Sequence, residues 1–362
     1  MTQLRTVQVL GGGSAGSSAH VRSLASGLVA RGVRVTVCAP PELDHAYDFQ
    51  GAGARLVPVP RQGGPAAVAA LRNAFIGADI VHAHGLDASV RASLALAGAA
   101  AVPPTPLVTT WHTRSRAAGA RARLVRLLER RTVRAAAVVL GTSSELVDRA
   151  RRRGARDARL APVTVPASRA PVCLHDGKAR AELGAVDRPL LMAVGALEPG
   201  RGYGMLLDAA RTWRDLDPQP LLVIAGEGPE RAPLQRRIED EGLAVRLIGR
   251  REDVAELLAA ADIAVLPSRW EARSLLAQEA LRLGVPLVAT AVGGVPELVG
   301  DAAELVPYGD AAALAETVRG LLDDADRRSD LAAAGRVQAG TWPTEDQTIA
   351  HVLSVYDELS AR

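Results

Sequence analysis

Short apolar runs alternate with amphipathic stretches along nearly the whole 362-residue chain, and the alternation breaks only once, near the middle. A short apolar run that is hydrophobic on both faces fits a strand inside a parallel sheet, covered by helices above and below. Each half therefore reads as a doubly wound α/β unit. The predicted strands of the first half are Thr6–Leu10, Val33–Cys38, Arg55–Val59, Ile80–Ala83, Leu107–Thr110 and Ala137–Leu140. Those of the second are Leu190–Val194, Leu221–Ala225, Val245–Ile248, Ile263–Leu266 and Leu287–Ala289. Helices are predicted over 19–30, closed by Gly32, over 89–100, ending before Pro103 and Pro104, and over 272–282. The break runs from 161 to 187, where Pro162, Pro166, Pro171 and Gly177 read as a connector.

A chain of this length suits two cores, because cores divide beyond about 250–300 residues. The expected organisation is a Rossmann-like domain over residues 1–168, a connector over 169–186, and a second Rossmann-like domain over 187–340. A terminal helix over 345–362, with Ile349, Val352, Leu353 and Tyr356 on one face, is predicted to pack back on the first domain. Ligands in such sheets bind at the carboxyl ends of the strands, so the two domains are expected to face each other across a cleft.

Composition removes several classes of function. With 48% apolar and 23% charged residues the chain is neither disordered nor fibrous. No apolar run reaches the roughly 18 residues of a membrane span, and Met1–Leu10 reads as a strand rather than a leader peptide. Cys38 and Cys173 make no disulfide framework and no metal-ligand set, so a cytoplasmic protein without metal or cofactor is expected. Aromatic residues, at 3%, are too few for a nucleic-acid stacking surface. Charge is strongly polarised, with 23 basic against 9 acidic residues over 1–170 and 20 against 31 over 171–362. The basic stretches are 114–134 and 149–159. In the first, Leu124, Val125, Leu127, Leu128 and Val133 form an apolar stripe under arginines. That pattern fits a packed helix with a charged outer face, an anionic acceptor, or peripheral attachment to an anionic inner membrane leaflet.

Several motifs sit at strand ends. Gly11-Gly12-Gly13-Ser14-Ala15-Gly16 matches G-x-G-x-x-G before a helix, where backbone amides can approach phosphate. The second strand ends in Val37-Cys38-Ala39-Pro40 without the acidic residue a dinucleotide ribose needs, so a tight turn without ligand is the alternative. His82 and His84 are expected on opposite sides of an extended segment, as packing or rim residues that share no metal. His112 follows an apolar strand, where a polar side chain would face a cleft. In the second half, Gly195 leads into Glu198-Pro199-Gly200-Arg201-Gly202, a glycine-flanked loop that carries one cation to a helix start and suits a diphosphate. Glu271 and Glu279 lie about two helical turns apart, as two acceptors suited to sugar and ribose hydroxyls, with a solvated helix face as the plain alternative.

Taken together, these segments resemble family 4 of the retaining glycosyltransferases, which have the GT-B fold. The likeness extends over nearly the whole chain and is most specific in Glu271 to Glu279, Gly284-Val285-Pro286 and Gly293-Gly294-Val295-Pro296-Glu297. Further matching pieces are Ala19-His20-Val21, Arg31-Gly32-Val33-Arg34-Val35, Asp79 to His84, Thr110 to His112, Gly226-Glu227-Gly228-Pro229, and Ala261-Asp262 through Pro267-Ser268. The resemblance implies a nucleotide-diphosphate-sugar donor on the second domain and an acceptor on the first. It implies metal-independent transfer with retention, the leaving phosphate taking the acceptor proton. By position, His112, Arg201 and Glu271 become the catalytic candidates. Gly13, Gly16, Gly195, Arg201, Arg273, Ser274, Leu275, Leu276 and Glu279 become the donor-binding ones. Ser14, His20, His84 and Arg114 fall on the acceptor side. Arg201 takes the place of a phosphate-binding lysine in a chain whose only lysine is Lys178. Three departures stand out: Ala196 replaces a second phosphate-binding arginine, Glu271-Ala272-Arg273-Ser274 replaces Glu-Gly-Phe-Gly, and Val163-Thr164-Val165-Pro166 replaces an Asn-Gly near the connector. Arg273 is the candidate substitute for the missing cation. A catalytically impaired scaffold that binds a nucleotide sugar or a protein is the competing reading.

Overall fold

The computed structural model describes residues 3–12, 15–97, 104–115, 117–163 and 176–361. It divides into two compact units, residues 1–166 with 343–362, and residues 167–342. The first holds β1 (Arg5–Leu10), β2 (Arg34–Ala39), β3 (Arg55–Pro58), β4 (Ile80–His84), β5 (Leu107–Trp111), β6 (Val138–Gly141) and β7 (Ala158–Leu160). All its pairings are parallel, in the order β3-β2-β1-β4-β5-β6-β7. The second holds β8 (Leu190–Val194), β9 (Leu221–Ala225), β10 (Val245–Gly249), β11 (Ile263–Leu266), β12 (Leu287–Thr290) and β13 (Glu304–Val306). These too are parallel, in the order β10-β9-β8-β11-β12-β13. Strand order reverses between β1 and β4 and again between β8 and β11, which are the switch points where open α/β sheets leave a crevice.

The apolar runs explain the layers. Along β1 and β4, Val7, Val9, Val81 and Ala83 point into one buried cluster, while Leu10 and Ile80 point into another on the opposite face. Both faces of the second sheet are covered in the same way. The three-residue edge strands β7 and β13 carry no signal in the sequence, because Arg159 and Glu304 interrupt any apolar run.

Two expectations from the sequence need correction. Asp176–Leu183, which falls in the expected connector, is a helix, and Leu183 and Ala185 lie in the core of the second unit. Proline and glycine nearby mask a short helix whose single strong anchor is Leu183. The helix expected from Ala272 starts at Leu275 instead, because the Ser274 hydroxyl accepts from the Ala277 amide and caps it there.

The terminal helix Glu345–Ser360 belongs to the first unit. It starts in a capping box between Thr344 and Gln347. Ile349, Val352, Val355 and Tyr356 are buried in the cluster that also holds Val21, Leu24 and Leu28 of the helix Ala15–Ala30. Gly27 permits this seam, since a Cβ there would stand 2.1 Å from Ile349 Cδ1. Ser23 donates to Glu345, and Arg159 pairs with Glu358 at 2.8 Å.

Candidate active site

In the second unit, two loops leave the sheet on either side of its switch point, residues 195–202 after β8 and 267–274 after β11. They are locked together. The Arg269 amide donates to the Gly200 carbonyl at 3.0 Å, and Gly202 packs so closely on Pro267 that a Cβ would lie 1.7 Å from its carbonyl oxygen. Gly202 has φ of +77°, a left-handed conformation that glycine adopts freely.

This crossing brings Arg201 onto Glu271, its Nη1 donating to Oε1. Ser268 Oγ donates to the same carboxylate oxygen at 2.9 Å, and Thr290 Oγ1 donates to the Ser268 carbonyl at 2.5 Å. Arg201 Nε is buried without a hydrogen-bond partner among the described residues. A guanidinium with one buried N–H unused can still take an anion, since such groups are otherwise nearly always satisfied. The buried Tyr203 hydroxyl lies where a Cβ on Gly195 would come within 3.0 Å, and burial together with Glu271 raises its pKa against the opposing pull of Arg201. The helix Leu275–Leu283 presents its first amides at the end of the same loop, and Ser274, Leu275 and Leu276 are its opening residues.

Arg273 and Glu279 have other neighbours. Arg273 and Arg282 both lie with their guanidinium carbons 5.7 Å from the Trp342 ring centre. Burial lowers the Arg273 guanidinium to about 10, partly offset by Glu297. Glu279 is half-buried, which raises its carboxyl pKa, and Arg282 opposes the shift. The candidate substitute for the cation missing at Ala196 thus lies over an indole ring. Ser268 belongs to the matching piece that ends in Pro267-Ser268, whereas Tyr203 and Trp342 join the site without a signal in the sequence, because nothing local marks an aromatic ring as facing a distant loop.

In the first unit, Gly13 and Ser14 lie outside the described residues. Gly16 is in the first turn of the helix Ala15–Ala30, and His20 follows one turn later. Arg114 pairs with Glu145 at 3.2 Å. The expectation that His82 and His84 point to opposite sides is overturned: their ring centres are 4.2 Å apart. Alternate residues of a strand share a face, so the i, i+2 spacing brings the rings together instead of separating them. His20 stands 5.7 Å from His84 and 5.5 Å from His112, completing a cluster of four imidazoles at the carboxyl end of the sheet. Burial lowers His20 to about 4 and His82 to about 3, and holds His84 and His112 well below 6.5. No group of three or more metal-ligating side chains is arranged around a common point among the described residues.

Residues 15–166 match the sequence family described as glycosyl transferase 4-like domain, and residues 176–338 match the one described as glycosyl transferases group 1. The chain belongs to the family 4 type of GT-B glycosyltransferases. It is similar to the GDP-mannose-dependent monoacylated alpha-(1-6)-phosphatidylinositol monomannoside mannosyltransferase of Corynebacterium glutamicum, 33% identical over 188 residues, 48% of this chain and 49% of the relative. It is also similar to the alpha-D-kanosaminyltransferase of Streptomyces kanamyceticus, 34% identical over 226 residues, 56% of each chain. The chain thus spans about half the length of the curated relatives it matches. Among solved structures, Anabaena HepE in complex with UDP-glucose superposes with a TM-score of 0.82 at 21% identity, covering 98% of this chain and 100% of that one. WaaG, a glycosyltransferase involved in lipopolysaccharide biosynthesis, superposes at 0.73 and 19% identity, covering 99% and 100%. These likenesses carry the GT-B fold across the chain.

Proposed function

We propose that this glycosyltransferase moves a sugar from a nucleotide-diphosphate-sugar to an acceptor hydroxyl, with retention of anomeric configuration and without a metal. The observation that carries the reading is the Arg201–Glu271 pair at the switch point of the second unit, beside the start of the helix Leu275–Leu283. Without a donor, the guanidinium is neutralised by the carboxylate. A diphosphate offers it a more highly charged partner and meets the helix amides as well.

In the reaction the bond from the anomeric carbon to the β-phosphate oxygen breaks, leaving its electron pair on the diphosphate. The acceptor oxygen forms the new bond on the same face, and its proton passes to the departing phosphate. Arg201 and the amides after Ser274 stabilise the charge gathering on the leaving group, and Glu271 faces the cationic sugar. Glu279 is assigned to the nucleoside ribose and His112 to a donor-sugar hydroxyl. A thermal-shift screen of UDP, GDP, ADP and dTDP sugars is expected to yield at least one stabilising donor, because a ligand of the native state raises apparent stability. With that donor, Arg201→Ala is expected to lower kcat by about 10²–10³-fold. Its Tm should move by no more than about 4 °C, the shift from roughly 1 kcal/mol in a domain of this size. Failure of every donor to bind or turn over would favour the scaffold reading.

The acceptor side is read as anionic and presented at a lipid surface. The helix Gly119–Ala135 turns Val133 inward but leaves Leu124 and Leu127 55% and 63% exposed among Arg121, Arg123, Arg126, Arg130 and Arg131. Exposed leucines ringed by arginines suit the interface of an anionic bilayer. Sedimentation with vesicles of anionic lipid is expected to carry down the full chain at low salt and lose it when Leu124 and Leu127 become serine. Equal, negligible sedimentation with anionic and neutral vesicles would exclude it.

A further inference from the structure

Six side chains of the first unit form one hydrogen-bonded row. His82 Nε2 meets Thr110 Oγ1 at 2.6 Å, and His82 Nδ1 meets the Tyr356 hydroxyl at 2.6 Å. The Gln8 amide nitrogen donates to that hydroxyl at 3.0 Å. At the other end of the amide, Gln8 Oε1 meets His84 Nε2 at 3.0 Å, and His84 Nδ1 meets His112 Nε2 at 3.4 Å. The row spans three neighbouring strands and the terminal helix, since Gln8 registers with His82 on β4, and His84 with Thr110 on β5.

Its protons follow a single direction. The Gln8 nitrogen has two hydrogens, and both have acceptors, the Tyr356 hydroxyl and Thr6 Oγ1 at 3.4 Å. Gln8 Oε1 can only accept, so His84 carries its proton on Nε2 and leaves Nδ1 bare. A bare His84 Nδ1 in turn requires His112 to donate from Nε2. On the other side, Tyr356 accepts from Gln8 and so gives its own proton to His82 Nδ1, which leaves His82 to donate from Nε2 to Thr110. Burial keeps each ring neutral, so each carries one proton only. Reversing the amide of Gln8 would reverse every proton in the row.

We propose that Gln8 and Tyr356 are positioning residues that fix His112 in its Nε2–H form, leaving Nδ1 as the nitrogen able to accept a hydrogen bond from a sugar hydroxyl. The inference rests on reading His112 as a donor-sugar contact only for its last clause; the tautomer itself is independent of activity. Long-range proton–nitrogen spectra of the ¹⁵N-labelled full chain, without ligand at pH 7.5, read that tautomer directly, with His112→Gln assigning the signal. His82, His84 and His112 are expected as Nε2–H, and a His112 found as Nδ1–H or as imidazolium overturns the proposal. Tyr356→Phe is expected to give a mixed tautomer population at His112, whereas Val355→Ala, which removes packing from the same helix but no hydrogen bond, should leave it unmixed. An unmixed Nε2–H signal in Tyr356→Phe would show that Tyr356 does not order the row. If a donor is turned over, Tyr356→Phe should also raise its KM about 2–10-fold, the range of one neutral hydrogen bond, with kcat less affected. Normal tautomers in an inactive wild type would sink the transfer reading and leave the row intact.

Discussion

Lowering the pH from 7 to 5 is expected to unfold the first unit while the second stays folded. His20, His82 and His84 are buried and neutral in the native state, with His20 lowered to about 4, His82 to about 3 and His84 well below 6.5. In the unfolded chain each returns to about 6.5. The unfolded state therefore binds more protons at every pH below about 6.5, and stability falls as pH falls through that range. Each ring costs up to about 1.4 kcal/mol per pH unit, so three rings across 1.5 units remove about 6 kcal/mol, close to the whole stability of an ordinary domain. His112, which burial also holds well below 6.5, adds to the loss. Among the described residues the second unit has no histidine, the one between 167 and 342 being His175. Hydrogen exchange resolved by peptide at pH 5 should show lost protection over β1 to β7 and over Glu345–Ser360, with protection kept over β8 to β13. Loss from the second unit first, or from both together, would contradict the argument.

The same cluster shows where a sequence reading succeeds and where it stops. Strand positions were legible because an apolar run flanked by glycine or proline has few alternatives, and the two-unit organisation followed from counting them. The conflict lay inside those strands: Gln8, His82, His84 and Thr110 are polar residues at alternate positions of apolar runs, and all fall on one sheet face. Correct use of the two-residue period would have grouped His82 with His84. Their link to Tyr356 was out of reach, since it joins residues 274 and 348 positions apart through the packing of a terminal helix. Likewise Arg201 and Glu271 were each legible as candidates from their local motifs, but their pairing depends on two loops seventy residues apart in sequence crossing at a glycine. Arg273 was legible as a cation. Its neighbours, Trp342 and Glu297, were set by helices whose mutual packing no local motif encodes.

That loop crossing makes Gly202→Ala the most damaging single-atom change expected in the second unit. The added carbon would stand 1.7 Å from the Pro267 carbonyl oxygen and 2.6 Å from its carbon, atoms of backbone that cannot rotate away. The residue would also have to hold φ near +77°, which costs a non-glycine about 1 kcal/mol or more. Relief requires the loop carrying Arg201 to move off the loop carrying Glu271, and the Arg269–Gly200 hydrogen bond is lost with it. A loss of at least about 3 kcal/mol is expected, or roughly 6–12 °C in the Tm of the second unit. Turnover should fall at least as far as in Arg201→Ala, because the guanidinium remains present but is displaced from the carboxylate. Gly320→Ala is the matched control: a Cβ there would meet nothing within 4 Å, its helix is regular, and the change should stabilise by about 0.5–1 kcal/mol. A Gly202→Ala protein with wild-type Tm and wild-type turnover would mean that the two loops do not need each other, and that Arg201 acts without the partner the crossing gives it.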